Sequence, residues 1–124
     1  MTILDIITHV DQLKPNGYQN ATKIGWLSNL DGQIFRDVIA THEGAEITEF
    51  NGYDEESLDK ELLVPYPFDE DIYTYYLQAQ IDKENGEIKK YNNSITQYNN
   101  AFLAYANWYN RNHTPKAKVK RFRF

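Results

Sequence analysis

Few residues in this chain have types and spacing that suggest chemistry. His42-Glu43 starts like the zinc helix H-E-x-x-H, in which two histidines one turn apart hold the metal and the glutamate acts as base. Here Glu46 takes the place of the second histidine, and Gly44 interrupts the turn; the pair reads more simply as an exposed helix end. Asn29-Leu30-Asp31-Gly32 resembles a piece of a calcium loop. Its first ligand position would be Leu27, which cannot bind a cation, and no Glu stands at the twelfth. Asp69, Glu70 and Asp71 could pair as acid and base, but capping of a following helix explains the same three acids. His9, His42 and His113 lie in different segments, cysteine is absent, and neither a phosphate-binding glycine loop nor G-x-S-x-G occurs. The residues therefore argue against an enzyme and call for no metal or cofactor.

Binding is the better expectation, and it centres on the C-terminus. Residues 116–124, KAKVKRFRF, hold five of the 13 basic residues and no acid. The preceding residues then carry 8 basic against 18 acidic groups, a charge of -10. Lys116, Lys118, Lys120, Arg121 and Arg123 are interleaved with Val119, Phe122 and Phe124. Three readings stay open: an exposed flexible end, an arm that folds onto an acidic partner, or a weak salt-sensitive contact with phosphates. All eight residues are candidate partner contacts.

The supporting elements read as mostly helical. A chain of 124 residues suits about one domain, here placed at 1–115 with 116–124 as a basic tail. Thr2 caps a first helix through Leu13, with Ile3, Ile6, Ile7 and Val10 on one face. Pro15-Asn16-Gly17 ends it. Asn20 is the candidate cap of a second helix over residues 21–41, striped by Ile24, Leu27, Leu30, Ile34 and Val38. Periodicity then stops. Asn51-Gly52 is a turn signal, and a short extended segment near 60–66 enters Pro65-Tyr66-Pro67. No apolar run approaches the ~18 residues of a membrane span, and Asp5 in MTILDIITHV argues against a secretory signal.

From Asp69 the pattern is helical nearly to Asn112. Tyr73, Leu77 and Ile81 form a stripe that Ile88, Tyr91, Ile95, Tyr98, Phe102, Tyr105 and Tyr109 continue in phase across Asn85-Gly86. Continuous phase favours one long helix over about 69–111, kinked at Gly86, against a hairpin. Straight, it would run about 64 Å, beyond a body about 35 Å across, so part of it would project or meet another subunit. Eight Asn between Asn85 and Asn112 give it weak helix preference. Packing must therefore sustain it, with Tyr98 and Phe102 expected against the second helix.

An ordered set of residues carries a resemblance over nearly the whole chain except the basic tail. In the first half it comprises Pro15-Asn16, Lys23, Trp26-Leu27, Leu30-Asp31-Gly32, Ile34 and Thr41-His42-Glu43. In the second it comprises Leu62-Leu63-Val64-Pro65, Pro67, Asp69-Glu70, Tyr73, Tyr76-Leu77, Gln80-Ile81-Asp82, Asn85-Gly86-Glu87, Tyr91-Asn92-Asn93-Ser94 and Trp108-Tyr109-Asn110-Arg111. The pattern resembles small phage and prophage virion assembly proteins of Gram-positive hosts, similar to head-tail connector (adaptor) proteins. The resemblance implies a structural protein that docks on the portal as a ring, commonly of twelve copies. It would form part of the neck passage, with downstream neck or tail proteins as further partners and phage DNA nearby. It further implies a place in the virion, after assembly in the host cytoplasm, and no membrane. The alternatives are a capsid-associated or assembly factor outside the neck, and a DNA-binding regulator that uses the basic tail. For the latter no recognition helix with clustered Arg and Lys is visible.

Overall fold

The computed structural model describes residues 1–45 and 47–116. Four helices account for most of them: α1 Ile3–Leu13, α2 Asn20–Ile34, α3 Asp69–Glu84 and α4 Ile88–Asn112. A π-helical turn, Phe35–Ile39, extends α2. The described residues form no sheet; the only β pairings among them are two isolated bridges.

α1 begins as its sequence dictates. The Thr2 hydroxyl accepts the Asp5 N–H at 3.1 Å and the Asp5 carboxylate accepts the Thr2 N–H at 3.0 Å, a reciprocal cap that satisfies two otherwise orphaned donors. Hydrogen bonding by the Thr2 backbone N–H, followed by the Thr2 side chain, holds the Asp5 carboxyl below its ordinary value. Ile3, Ile6, Ile7 and Val10 are all buried. Beyond α1, Asn16 closes the expected turn by donating to the Lys14 carbonyl and accepting from the Tyr18 N–H.

α2 starts one residue earlier than expected, with Gln19 rather than Asn20 at the cap and no side-chain bond there. It also stops short of 41. The Ala40 N–H reaches back five residues to the Phe35 carbonyl at 2.7 Å. That widened turn shifts the helix phase and leaves both Val38 and Ile39 buried.

Residues 40–45 and 47–68 form irregular chain. The expected turn at Asn51-Gly52 does not form, but Gly52 has φ +88° and a Cβ there would stand 2.9 Å from the Ser28 hydroxyl, so the position needs its glycine on two counts. The expected extended segment near 60–66 does not form a strand: the chain bends at Lys60 and at Leu63-Val64 and turns at Tyr66. It runs beside the N-terminus through one bridge, Thr2 to Glu61, and the Leu62 N–H bonds to the Met1 carbonyl at 3.1 Å. The Tyr66–Pro67 bond is cis.

The continuous helix over 69–111 is not what forms. α3 starts at Asp69, but Phe68 rather than Asp69 stands at the cap, with no side-chain bond there, and the chain turns back at Gly86. Gly86 has φ +74°. Its N–H bonds to the Lys83 carbonyl at 3.1 Å, and the Glu87 N–H bonds to the Asp82 carbonyl at 2.9 Å. This is the paired-bond stop that a left-handed glycine makes at a helix C-terminus. α3 and α4 then pack as an antiparallel hairpin: Ser94 meets Asp82 near the turn, Tyr98 meets Tyr76 midway, and Tyr105 meets Phe68 at the far end. Phase could not exclude this arrangement, because two helices that face each other also carry their apolar stripes toward a common seam.

The layers follow from burial. α3 is the central helix, with Ile72, Tyr73, Leu77 and Ile81 fully enclosed. α1 and α2 pack on one side of it and α4 on the other. α4 rests on α3, not on the second helix, and Tyr98 and Phe102 are only half-buried. Replacing Gly86 with Ala is expected to destabilise the protein by about 1–2 kcal/mol, the cost of a left-handed conformation for a residue with a Cβ. Nothing lies within 4 Å of the added Cβ, so the effect is purely conformational. A thermal melt showing stabilisation would restore the continuous helix.

Candidate functional site

Three buried polar clusters lie between the helices, and each uses residues that the sequence made conspicuous. Asp31 is fully buried on α2. Its carboxylate accepts the Tyr73 hydroxyl at 2.6 Å, the Tyr53 hydroxyl, and the Leu63 N–H at 3.1 Å. Tyr73 in turn accepts the Val64 N–H at 3.0 Å. Burial pushes the Asp31 carboxyl above its ordinary value, opposed by these hydrogen bonds. The Tyr53 and Tyr73 hydroxyls are pushed up by burial and by the neighbouring carboxylate. The cluster fastens residues 53 and 63–64 to α2 and α3.

The second cluster joins the hairpin to α1. Asp82 is buried, pairs with Lys14 and accepts the Ser94 hydroxyl at 3.2 Å. Lys23 is only 2% exposed and reaches Asp11 at 2.6 Å, joining α2 to α1. The third involves His42, which is buried rather than on an exposed helix end. Its ring lies between the Val38 carbonyl and the Asn110 side chain, edge-on to Tyr109. Glu43 is exposed, and among the described residues no group of three His, Cys, Asp or Glu converges on a metal position. Asp69, Glu70 and Asp71 occupy the first turn of α3, where the Asp69 carboxylate accepts the Glu70 N–H at 2.8 Å.

Two surface features are better placed for binding. The first is the outer face of α4. From Tyr91 to Asn110 the chain contains no charged residue, although 25% of the whole sequence is charged. Asn92, Asn93, Thr96, Gln97, Asn99, Asn100, Leu103, Ala104, Asn107 and Asn110 are all exposed. Leu103 is 58% exposed. The 20 residues from Tyr91 to Asn110 span about 30 Å of α4, so this part of the face is a long uncharged strip on an otherwise acidic body. Depletion of charge is the compositional mark of interface centres. Periodicity did not reveal this strip; the uncharged run, visible in the sequence, is the signal that could have done so.

The second feature is a groove of about 540 Å³ lined by Ile39, Leu62, Leu63, Tyr105, Trp108 and His113. Ring stacking shapes one wall: His113 lies flat on Tyr109, centroids 3.8 Å apart and planes 7° apart. Burial raises the Tyr105 hydroxyl well above its ordinary value. Glu61 stands at the rim. A smaller depression of about 360 Å³ continues the groove, sharing Ile39, Gly44, Ala45 and Ile47 and adding Glu43 and Lys116.

Of the eight predicted partner contacts, the structure places Lys116. Its N–H bonds to the Thr41 carbonyl at 3.0 Å, the Glu43 N–H bonds to the Thr114 carbonyl at 2.8 Å, and Pro115 bridges to His42. Residues 114–116 thus run antiparallel to 41–43, and Lys116 is held by its backbone with its side chain exposed. Lys118, Val119, Lys120, Arg121, Phe122, Arg123 and Phe124 lie outside the described residues. No helix among the described residues is long and apolar enough to cross a membrane. No protein-family model matches this chain, and no curated protein or solved structure is found similar to it.

Proposed function

We propose that the protein is a structural component of a phage virion, a head-tail connector that docks on the portal and builds part of the neck passage from several copies. The resemblance of the ordered segments to such proteins supplies the class. Several of those segments contain the paired polar groups of the interior, namely Lys23, Asp31, Tyr73, Asp82 and Ser94. The observation that carries an assembly role is the uncharged outer face of α4. Asn and Gln side chains both donate and accept hydrogen bonds, so they suit a protein neighbour and offer no charge attraction to DNA phosphates. In a ring of acidic subunits, copies that met through carboxylates would repel; contact through α4 avoids that cost. The basic tail would serve neighbouring subunits or the portal.

The test is complementation of a phage lacking the gene, combined with gold-labelled antibody on the resulting virions. Gold at the head-tail junction is expected. Asn100→Glu combined with Leu103→Glu should leave the melting temperature nearly unchanged, since both residues are exposed, but cut intact virions at least tenfold. Gold over the capsid surface would favour the capsid-associated reading. Normal virion numbers from the doubly charged variant would remove the α4 face from the assembly.

A further inference from the structure

The charges of this chain are divided by position, and the fold sets the two parts on opposite faces. All 18 acidic residues precede Ile88, and from Ile88 to Lys116 there is none. We propose that the outer face of α4 docks head-to-tail on a second copy of the chain, against the acidic face formed by α1 and residues 54–59, with Leu103 seated beside Leu4 and Leu58. This names the partner of the α4 face, and it rests on the connector reading only for the use of that face between copies.

Three observations select a second copy and this side of it. The first is a row along α4. From Lys89 the three-four spacing passes Asn93, Asn100, Leu103 and Asn107 and ends at Arg111, and all six are exposed. Residues at that spacing share one face of a helix. The row has a cation at each end, amides between them and one leucine within it. The second is the opposite face. α1 packs on α3 on the side away from α4, and residues 58–60 lie along its start. The Ile3 N–H bonds to the Lys60 carbonyl at 3.0 Å, and the Leu4 N–H bonds to the Leu58 carbonyl at 2.9 Å. Leu4 is 45% exposed, Leu58 is half-buried, and Asp54, Glu55, Glu56 and Asp59 of the same segment are exposed.

The third is complementarity. Asn amides donate to carboxylates, Lys89 and Arg111 attract them as charges, and each face has an exposed leucine to bury. Two α4 faces would instead set cation against cation: antiparallel pairing brings Lys89 to Arg111, and parallel pairing brings each to its own copy. Two acidic faces would oppose carboxylates. Only the unlike pair avoids both costs. Because its two patches differ, the contact repeats from copy to copy and closes as a ring or runs on as a filament. The row is about 33 Å long and the helix about 10 Å wide, so one contact covers roughly 330 Å² of each copy, against about 800 Å² per partner in stable complexes. A single contact is therefore weak, and covalent trapping is the measurement suited to it.

The chain has no cysteine, so an introduced pair reports one contact. Leu4→Cys and Leu103→Cys, both at exposed positions, are made in separate full-length chains, and their melts should match wild type. One variant is isotope-labelled, the two are mixed under mild oxidation, and mass spectrometry separates mixed from like disulfide dimers. The mixed dimer is expected to form at least tenfold faster than either like dimer, and high salt should remove that advantage. Glu55→Lys with Glu56→Lys in the Leu4→Cys chain should slow the mixed dimer at least tenfold. Adding Lys89→Glu with Arg111→Glu to the Leu103→Cys chain should restore it. Faster trapping of Leu103→Cys with itself overturns the proposal, because α4 would then meet α4. Equal rates for all three dimers overturn it too, since no oriented contact would exist. So does failure of the second charge reversal to restore trapping. None of these measurements involves a virion. If trapping fails while gold stays at the head-tail junction, the connector reading stands and α4 faces another protein there. If gold lies elsewhere while trapping succeeds, the head-to-tail contact stands without that reading.

Discussion

Asp31→Ala is expected to destabilise the protein by about 3–5 kcal/mol, the range for removing one partner from a buried charged cluster. Against typical domain stabilities of about 5–15 kcal/mol, that is a large share. The cause is what remains behind. The Tyr53 and Tyr73 hydroxyls and the Leu63 N–H all donate to this carboxylate, and burial leaves water little access to replace it. Urea denaturation measures the loss, and a change below about 1 kcal/mol would show that the cluster relaxes onto other partners. A pH series gives an independent check. The folded protein holds the Asp31 proton more tightly than the unfolded chain, since burial raises the carboxyl above 3.8. The contribution of this group to stability is therefore greatest below that value and is lost as pH rises through the raised folded value. Asp31→Asn cannot titrate. The stability of wild type relative to Asp31→Asn should accordingly fall from about pH 3.8 upward and then level off.

Tyr105→Ala should cost a similar amount, about 3–5 kcal/mol as for other large buried aromatics. Tyr105 is 1% exposed, whereas most of α4 is open to solvent; only Ser94, Tyr105 and Tyr109 are buried there. Its ring meets Phe68 at 5.9 Å and Tyr109 at 5.9 Å, so its loss would loosen the far half of α4 from α3. Phe102→Ala, at a half-buried position, should cost about half as much or less. Equilibrium denaturation of the two variants therefore ranks them. If Phe102 proved the costlier, α4 would be rotated about its axis relative to the contacts seen here.

The Asn-rich segment shows why one helix can be read in two ways. The heptad of Tyr91, Tyr98 and Tyr105 does mark the side that faces the protein, and the seven Asn of α4 do lie on the exposed side. Packing on α3 sustains a helix whose local preferences are weak. Its partner, however, lies in the same hairpin. Gly86 is compatible with a kinked helix and with a left-handed stop, and only the observed φ of +74° separates them. The C-terminal stretch is similar: the charge of the tail was plain in the sequence, but the pairing of 114–116 with 41–43 was not.

Local chemistry explains what the sequence determined by itself. The Thr2 cap, the α1 stripe, the turn at Asn16 and the start of α3 near Asp69 involve residues within a few positions of one another, where backbone sterics and one or two hydrogen bonds decide. Helical class followed from the same periodicities. Tertiary structure alone decided the interior polar pairs, the order of the layers and the groove. Lys14 finds Asp82 and His42 finds Asn110, each across 68 positions, and Tyr73 finds Asp31 across 42. No periodicity marks such partners, because each carboxylate or imidazole would be equally at home in water. What selects them is burial, which makes an unpaired polar group costly only after the helices have closed over it.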